Sequence, residues 1–397
     1  MPPFVVSIDQ GTTGTKAYRL YSSGAFTPIC SKQHTQLLSN SYVEHNPAEI
    51  LEHVIECLSL ACTSDCVGVG FDGQGETCVA FDKSTGATFY NAIVWQDART
   101  QKQIDALKAA GHEPMVRERS GLVLDPYFSA SKLSWLLENV PAAAAAETVG
   151  NLCLCTLDSY IIFKLTGKYV TDPSTASRTS LMNIETLTWD AELCDLFNVP
   201  LSTLPAIVPT TAGVESYGTF TTKNLTIPIV ASVVDQTAAL YGHNCRAAGQ
   251  CKVTFGTGAF VLACTGVSPP APPPGLLGVA AWQIKGEECV YALDGGVYNA
   301  ASAVNWLRDT GVFTKYEELD DVFEGDAEDT TSVLLSQGLA FVPALSGLSC
   351  PYYDRDAAGK CVRERASKHL VKTRLQNMAG ASFGGTRSRI ERLESVI

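Results

Sequence analysis

The sequence predicts a two-domain α/β protein, and three observations carry that reading. A chain of 397 residues exceeds what one hydrophobic core usually organises. Short β-branched apolar runs alternate with stretches of helical spacing. Four of those runs stop at polar, glycine-rich junctions: Asp9-Gln10-Gly11-Thr12-Thr13, Asp72-Gly73-Gln74-Gly75-Glu76-Thr77, Asp235-Gln236-Thr237 and Gly256-Thr257-Gly258. In α/β sheets ligands collect at such carboxyl ends of strands, so a cleft between two α/β domains is expected.

The opening stretch, FVVSIDQGTTGTK, is the one around which the rest is arranged. Phe4, Val5, Val6 and Ile8 read as a buried strand that ends at Asp9-Gln10. Gly11 and Gly14 let the backbone turn back, so that amides and threonine hydroxyls point into one concavity suited to phosphate oxygens. Asp9 at its mouth suits a hydrated Mg²⁺, and Lys16 adds positive charge. A plain hairpin turn between two strands fits the same residues, because AYRLYS reads as the second strand. The pattern is neither the Walker nor the dinucleotide glycine motif.

Beyond it, AYRLYS and TPICSKQHTQL continue as a meander. Asn46-Pro47 opens a helix over Ala48–Cys62 with Ile50, Leu51, Val54, Ile55 and Leu58 on its spacing. CVGVGF is the next buried strand. CVAFD and ATFYNAIVW read as a hairpin joined by Lys83-Ser84-Thr85-Gly86. Helices are expected from Ala98, at Ser129–Asn139, near Ala142–Glu147, and over TLDSYIIFKLTG, which Gly167 ends. Residues 170–210 read as loops and short helices. IPIVASVV is a strand ending at Asp235, followed by helical ALYG, and Cys251–Phe255 is another. SPPAPPPG is a connector, and VYALDGGVYNAASAVNWLRD reads as a strand, a glycine turn and an amphipathic helix.

Composition narrows the function. A formal charge of −12 argues against nucleic acid as a partner. No apolar run is long enough to span a bilayer, and the N-terminus lacks a secretory pattern, so a cytoplasmic location is expected. Fourteen scattered cysteines read as reduced, mostly buried thiols. Cys62 with Cys66, or Cys153 with Cys155, makes no four-ligand zinc set. The charge is uneven: Asp356–Ile397 holds nine of the 29 Lys/Arg and four of the 41 Asp/Glu, leaving 20 and 37 before it.

Together, SIDQGTT, YNAIVWQDART, GLVLDPYFS, YFSASKLSWLLEN, LTGKYVTDPSTASRT, VVDQTAAL, FGTGAFVL and YALDGGVYNAASAVNWLRD resemble the FGGY carbohydrate kinases, and within them the glycerol kinases most. The resemblance runs from Phe4 to about Gly359. It implies the actin/hexokinase-type (ribonuclease H-like) fold and ATP-dependent phosphorylation of a small polyol, glycerol first. By resemblance Asp235 is the general base, a role that competes with capping the helix it opens. The resemblance further implies that Asp9 and Asp235 hold Mg²⁺, that Gly11, Thr12, Thr13, Lys16, Gly256, Thr257, Gly258, Ala301 and Asn305 bind the nucleotide, and that Glu76, Trp95, Tyr127, Asp235, Gln236 and Phe260 bind the polyol. The implied division is 1–235 for the polyol and phosphate side and 236–359 for an incomplete nucleotide side, followed by an aberrant basic tail at 360–397. A homo-oligomer is compatible with the resemblance.

The sequence also departs from the family pattern. Gly75 stands where the glycerol kinases carry an arginine, removing a cation and leaving room for a larger acceptor. Ala301 and Asn305 replace a usual Gly and Gln. The tail lacks the family's second signature and its adenine-cradling glycines. These departures keep two alternatives open: a kinase for another polyol or a ketopentose, as in the xylulokinases, and a catalytically inactive kinase-like binding protein.

Overall fold

Three parallel strands, Phe4–Gln10, Cys66–Gly73 and Leu225–Val234, form the centre of a six-stranded sheet. The computed structural model describes residues 2–39, 42–320 and 339–363. The sheet order is 219–222, 225–234, 66–73, 4–10, 14–21 and 26–33, with antiparallel pairing outside the central three. The register sets Asp9 opposite Asp72 and Val234 opposite Gly73, so the polar ends of all three strands emerge together.

The apolar alternation of these strands explains their place. Phe4, Val6, Ile8, Val69 and Ile229 are buried with Ile50, Val54 and Leu58 of the helix Pro47–Ala61. That helix starts as its sequence dictates: the Asn46 side chain accepts from the Ala48 amide at 2.9 Å and Pro47 fills the first turn. Helices Ser129–Asn139, Pro141–Thr148 and Leu157–Thr166 form where expected, the last capped by Gly167 with φ 76°. A five-stranded sheet, in the order 36–39, 42–45, 92–93, 78–82 and 152–156, backs the second core around Leu133, Leu136, Leu154 and Phe197. A four-stranded sheet runs 251–255, 259–266, 289–297 and 277–283.

By compactness the chain forms two units, Met1–Val253 with Val261–Gly295, and Thr254–Phe260 with Gly296–Ile397. This division is distinct from the functional one expected at 235/236. In the second unit the helix Ala301–Asp309 follows the loop Gly256–Gly258, and Lys360–Arg363 pairs antiparallel with Leu339–Val342. The expected tail thus begins inside a strand, and its remainder from 364 lies outside the described residues.

Two local expectations are corrected. The 87–95 strand is reduced to a bridge at Thr88 and the pair Ala92–Ile93, because Tyr90 and Asn91 turn aside to donate to the Glu44 carboxylate at 2.8 and 2.9 Å. Gly295-Gly296 makes no turn; the strand Cys289–Val297 runs through it. A Cβ on Gly296 would lie 3.0 Å from the Phe260 ring, so glycine there admits an aromatic side chain. Neither Gly11 nor Gly14 has a positive φ. Gly14 is needed because a Cβ would overlap the Lys32 carbonyl on the paired strand. The Gly14→Ala variant is therefore expected to lose about 1–3 kcal/mol of stability, read as a lower thermal unfolding temperature than that of the unchanged chain.

Candidate functional site

The first unit gathers ten of the expected residues around the ends of the three parallel strands. Asp9, Asp72 and Asp235 are the first acidic groups at those ends. Their charges act on one another. Burial, then Asp9, then Asp235 push the Asp72 carboxyl well above the usual range. Burial, with Glu76 and Asp9, pushes Asp235 up to about 6, although the Gln236 amide donates to its Oδ1 at 2.6 Å. Burial raises Asp9 against the pull of Lys16, whose Nζ lies 3.7 Å from Oδ2. Lys16 faces Asp9 across the ladder.

The turn at 11–14 is a hairpin and a donor surface at once. The Gly11 amide donates to the Gly14 carbonyl at 3.0 Å and is spent in the turn. The Thr12 hydroxyl accepts from Trp95 Nε1 at 2.8 Å, which directs its own hydrogen away from the indole. Trp95 stands edge-on to Tyr127, ring centroids 5.5 Å apart. Lys132, fully buried, fixes the backbone beneath Tyr127 by donating to the carbonyls of Pro126, Tyr127 and Phe128 at 2.8, 2.7 and 2.8 Å. The conspicuous lysine of YFSASKLSWLLEN is thus a structural clamp.

Four further residues belong to the same cluster and escaped the sequence reading: Asp72, Arg178, Lys252 and Asp294. Arg178 Nε donates to Glu76 Oε1 at 2.5 Å and Nη1 to Asp294 Oδ2 at 2.7 Å. Burial opposes its charge, but Glu76, Asp294 and Tyr127 hold it protonated well above the usual range. Lys252 Nζ donates to Gln236 Oε1 at 2.5 Å, and burial lowers its pKa against the pull of Asp235 and Asp294. The Asp72 signal was present in the repeated strand-to-Asp junction. A buried arginine in a loop and a lysine on a strand gave no such pattern. The room expected at Gly75 is taken: a Cβ there would lie 2.9 Å from Val234 Cγ2 and 3.1 Å from Arg178 Cγ.

Gly256, Thr257, Gly258, Phe260, Ala301 and Asn305 lie in the second unit. The Gly256 and Thr257 carbonyls accept from the amides of Ala301 and Ala300 at 3.0 and 2.9 Å, and the Ser302 hydroxyl reaches the Thr257 carbonyl at 2.9 Å. This ties the loop to the start of the helix 301–309. Asn305 Oδ1 accepts from the Tyr316 hydroxyl at 2.5 Å.

Asp9 and Asp235 suit a divalent cation, since burial raises both carboxyls and that of Asp72 beside them, and each gains from a nearby positive charge. Among the described residues no three acidic, histidine or cysteine side chains form a ready-made metal cage.

Comparison with known proteins agrees with this chemistry. The family model for the FGGY carbohydrate kinases, N-terminal domain, matches residues 4–242, and that for the C-terminal domain matches 251–393. The match therefore extends past Gly359, where the sequence reading ended it. The glycerol kinase of Citrifermentans bemidjiense is 41% identical over 97% of this chain and 79% of its own length, and that of Brevibacillus brevis 39% identical over 95% and 76%. Among solved structures, a Plasmodium falciparum glycerol kinase with ADP superposes with TM-score 0.79 at 28% identity, over 95% of this chain and 76% of that one. A ligand-bound xylulose kinase from Lactobacillus acidophilus gives 0.74 at 23% identity over 95% and 75%, a likeness of fold.

The raised Asp235 carboxyl has a stability consequence. Its folded pKa, about 6, lies above the unfolded value of 3.8, so its favourable contribution is present below about pH 4 and is lost as pH rises through 6. Asp235→Asn is expected to raise the unfolding temperature at pH 7.5 by roughly 2–5 °C, with the difference vanishing near pH 4, as a thermal melt at each pH would show.

Proposed function

The chain belongs to the FGGY family of carbohydrate kinases, and on that premise we propose that it transfers the γ-phosphoryl group of ATP to a terminal hydroxyl of glycerol. The observation that carries the acceptor chemistry is Asp235 at about pKa 6, beside Glu76, Gln236 and Tyr127 at the mouth of the threonine-lined turn. A carboxylate of that basicity is ionised at neutral pH, yet accepts a proton more readily than an exposed aspartate does.

In the proposed reaction the acceptor hydroxyl oxygen forms a bond to the γ-phosphorus as the bond to the bridging oxygen of ADP breaks, and the hydroxyl proton passes to Asp235. Gln236, its amide oxygen engaged by Lys252, presents its NH₂ group to a second hydroxyl. Tyr127, whose phenol burial keeps protonated, supplies a polar tip, and Trp95 packs on the carbon chain and excludes water. Thr12 and Thr13 donate to phosphate oxygens, Gly11 shapes their turn, and Lys16 adds charge. Asp9 and Asp235 would hold Mg²⁺, which when bound neutralises the phosphate oxygens. On the family pattern, Gly256, Thr257, Gly258, Ala301 and Asn305 serve the nucleotide and Phe260 the acceptor. Among the described residues no helix is long and apolar enough to cross a membrane; a cytoplasmic site of action is part of this proposal.

Purified protein with ATP, Mg²⁺ and glycerol is expected to form ADP and glycerol 3-phosphate in equal amounts. Asp235→Asn should lower kcat by about a thousandfold, and no glycerol-dependent ADP from the unchanged chain would overturn the reading. The pH profile of kcat/KM should fall about tenfold per unit below the Asp235 pKa and be flat above it until another group titrates. Trp95→Phe removes the hydrogen bond to Thr12; it is expected to raise the glycerol KM about three- to tenfold and to increase ADP release without phosphorylated glycerol, measured by comparing the two products.

A further inference from the structure

A buried ion triad beside the acceptor site is larger than general-base chemistry requires. Glu76, Arg178 and Asp294 are 4%, 6% and 5% exposed. One guanidinium bridges the two carboxylates, at 2.5 Å to Glu76 and 2.7 Å to Asp294. It also lies 5.4 Å from the Tyr127 ring centroid. The bridge spends one oxygen of Asp294. The other, Oδ1, is buried and has no hydrogen-bond partner among the described residues. A buried acceptor oxygen left in that state costs free energy unless a donor arrives. Asp294 acts electrostatically on Tyr127 and Lys252, and Lys252 holds Gln236, so the orphaned oxygen belongs to the cluster around Asp235.

We propose that Asp294 Oδ1 is a hydroxyl-accepting group of the polyol subsite, and that Arg178 is the positioning residue that aims both Asp294 and Glu76 at the acceptor. A small polyol supplies what the oxygen lacks: a neutral O–H donor on a short carbon chain. A phosphate or carboxylate ligand is disfavoured at Oδ1, since like charges repel there. Arg178 packs close beside Gly75, where a Cβ would lie 3.1 Å from Arg178 Cγ. Fork geometry matters, because one planar cation holds two carboxylates in fixed relation, which a lysine ammonium does not reproduce.

The proposal rests on the reading of the site as a polyol kinase, and its test separates the two. Glycerol is titrated calorimetrically into the full chain, and KM for glycerol and for ATP are measured on the same samples. If the unchanged chain neither binds nor phosphorylates glycerol, the functional reading falls, and this inference with it. If it does both, Asp294→Asn is expected to weaken glycerol binding about tenfold while the ATP KM stays within about twofold. Asp294→Glu keeps the charge on Arg178 but displaces the accepting oxygen, and should weaken glycerol comparably with an unchanged melting temperature. Arg178→Lys should raise the glycerol KM about tenfold in the native background, and by less than about twofold once Glu76→Gln and Asp294→Asn are both present. Glycerol affinity within twofold of the unchanged chain in both Asp294 variants overturns the hydroxyl role. An undiminished effect of Arg178→Lys in the background carrying both Glu76→Gln and Asp294→Asn, or parallel losses for glycerol and ATP, overturns the positioning role.

Discussion

Like-charge crowding at the carboxyl ends of three parallel strands is the constraint on which the rest of the site depends. The ladder register places Asp9 against Asp72, and Asp235 one residue beyond the pairing of Val234 with Gly73. The three cannot separate without breaking a sheet whose interior is Ile8, Val69 and Ile229, each completely buried. Water would normally screen such a cluster, yet burial is the largest cause raising each of the three pKa values. The fold therefore holds carboxylates in a state they would not choose alone. Lys16 and Lys252 offset part of that repulsion, each from a different segment of the chain. What remains is an unsaturated demand for positive charge, the condition under which a metal–nucleotide complex is attracted.

Rigid support accompanies this charge. Trp95 is anchored on Thr12 and abuts Tyr127, while Tyr127 sits on a backbone whose carbonyls are drawn to the buried ammonium of Lys132. A chain of hydrogen bonds and one edge-on ring contact thus connects the turn 11–14, the Trp95–Tyr127 pair and the helix Ser129–Asn139. Displacement of any link is felt at the turn, so orientation in this site is a property of the packed scaffold.

The parts legible in the sequence were those governed by local rules. The helix Pro47–Ala61 announced itself through Asn46-Pro47 and its apolar spacing, and Gly167 marked the end of its helix by taking φ 76°. Asp9 and Asp235 were legible because each closes an apolar run. The 87–95 strand failed because tertiary bonds from Tyr90 and Asn91 to Glu44 outweighed β-propensity. Arg178 and Asp294 were illegible for a similar reason: they are separated by 116 positions, and nothing local tells that their charges meet.

Gly75 shows how an absence in sequence becomes a presence in structure. Read along the chain, a glycine beside Glu76 looks like lost bulk and lost charge. In space, the volume next to its Cα belongs to Val234 and to the stem of Arg178, and the arginine delivers the charge to Glu76 itself. The two positions are therefore not independent, since a β-carbon at 75 competes with the arginine stem for the same ångströms. Small residue and long cation form one solution to a single packing problem, in which backbone bulk is surrendered at one point so that a guanidinium can enter from another. The surroundings of the Glu76 carboxylate are consequently set by a pair, the glycine that leaves room and the arginine that fills it.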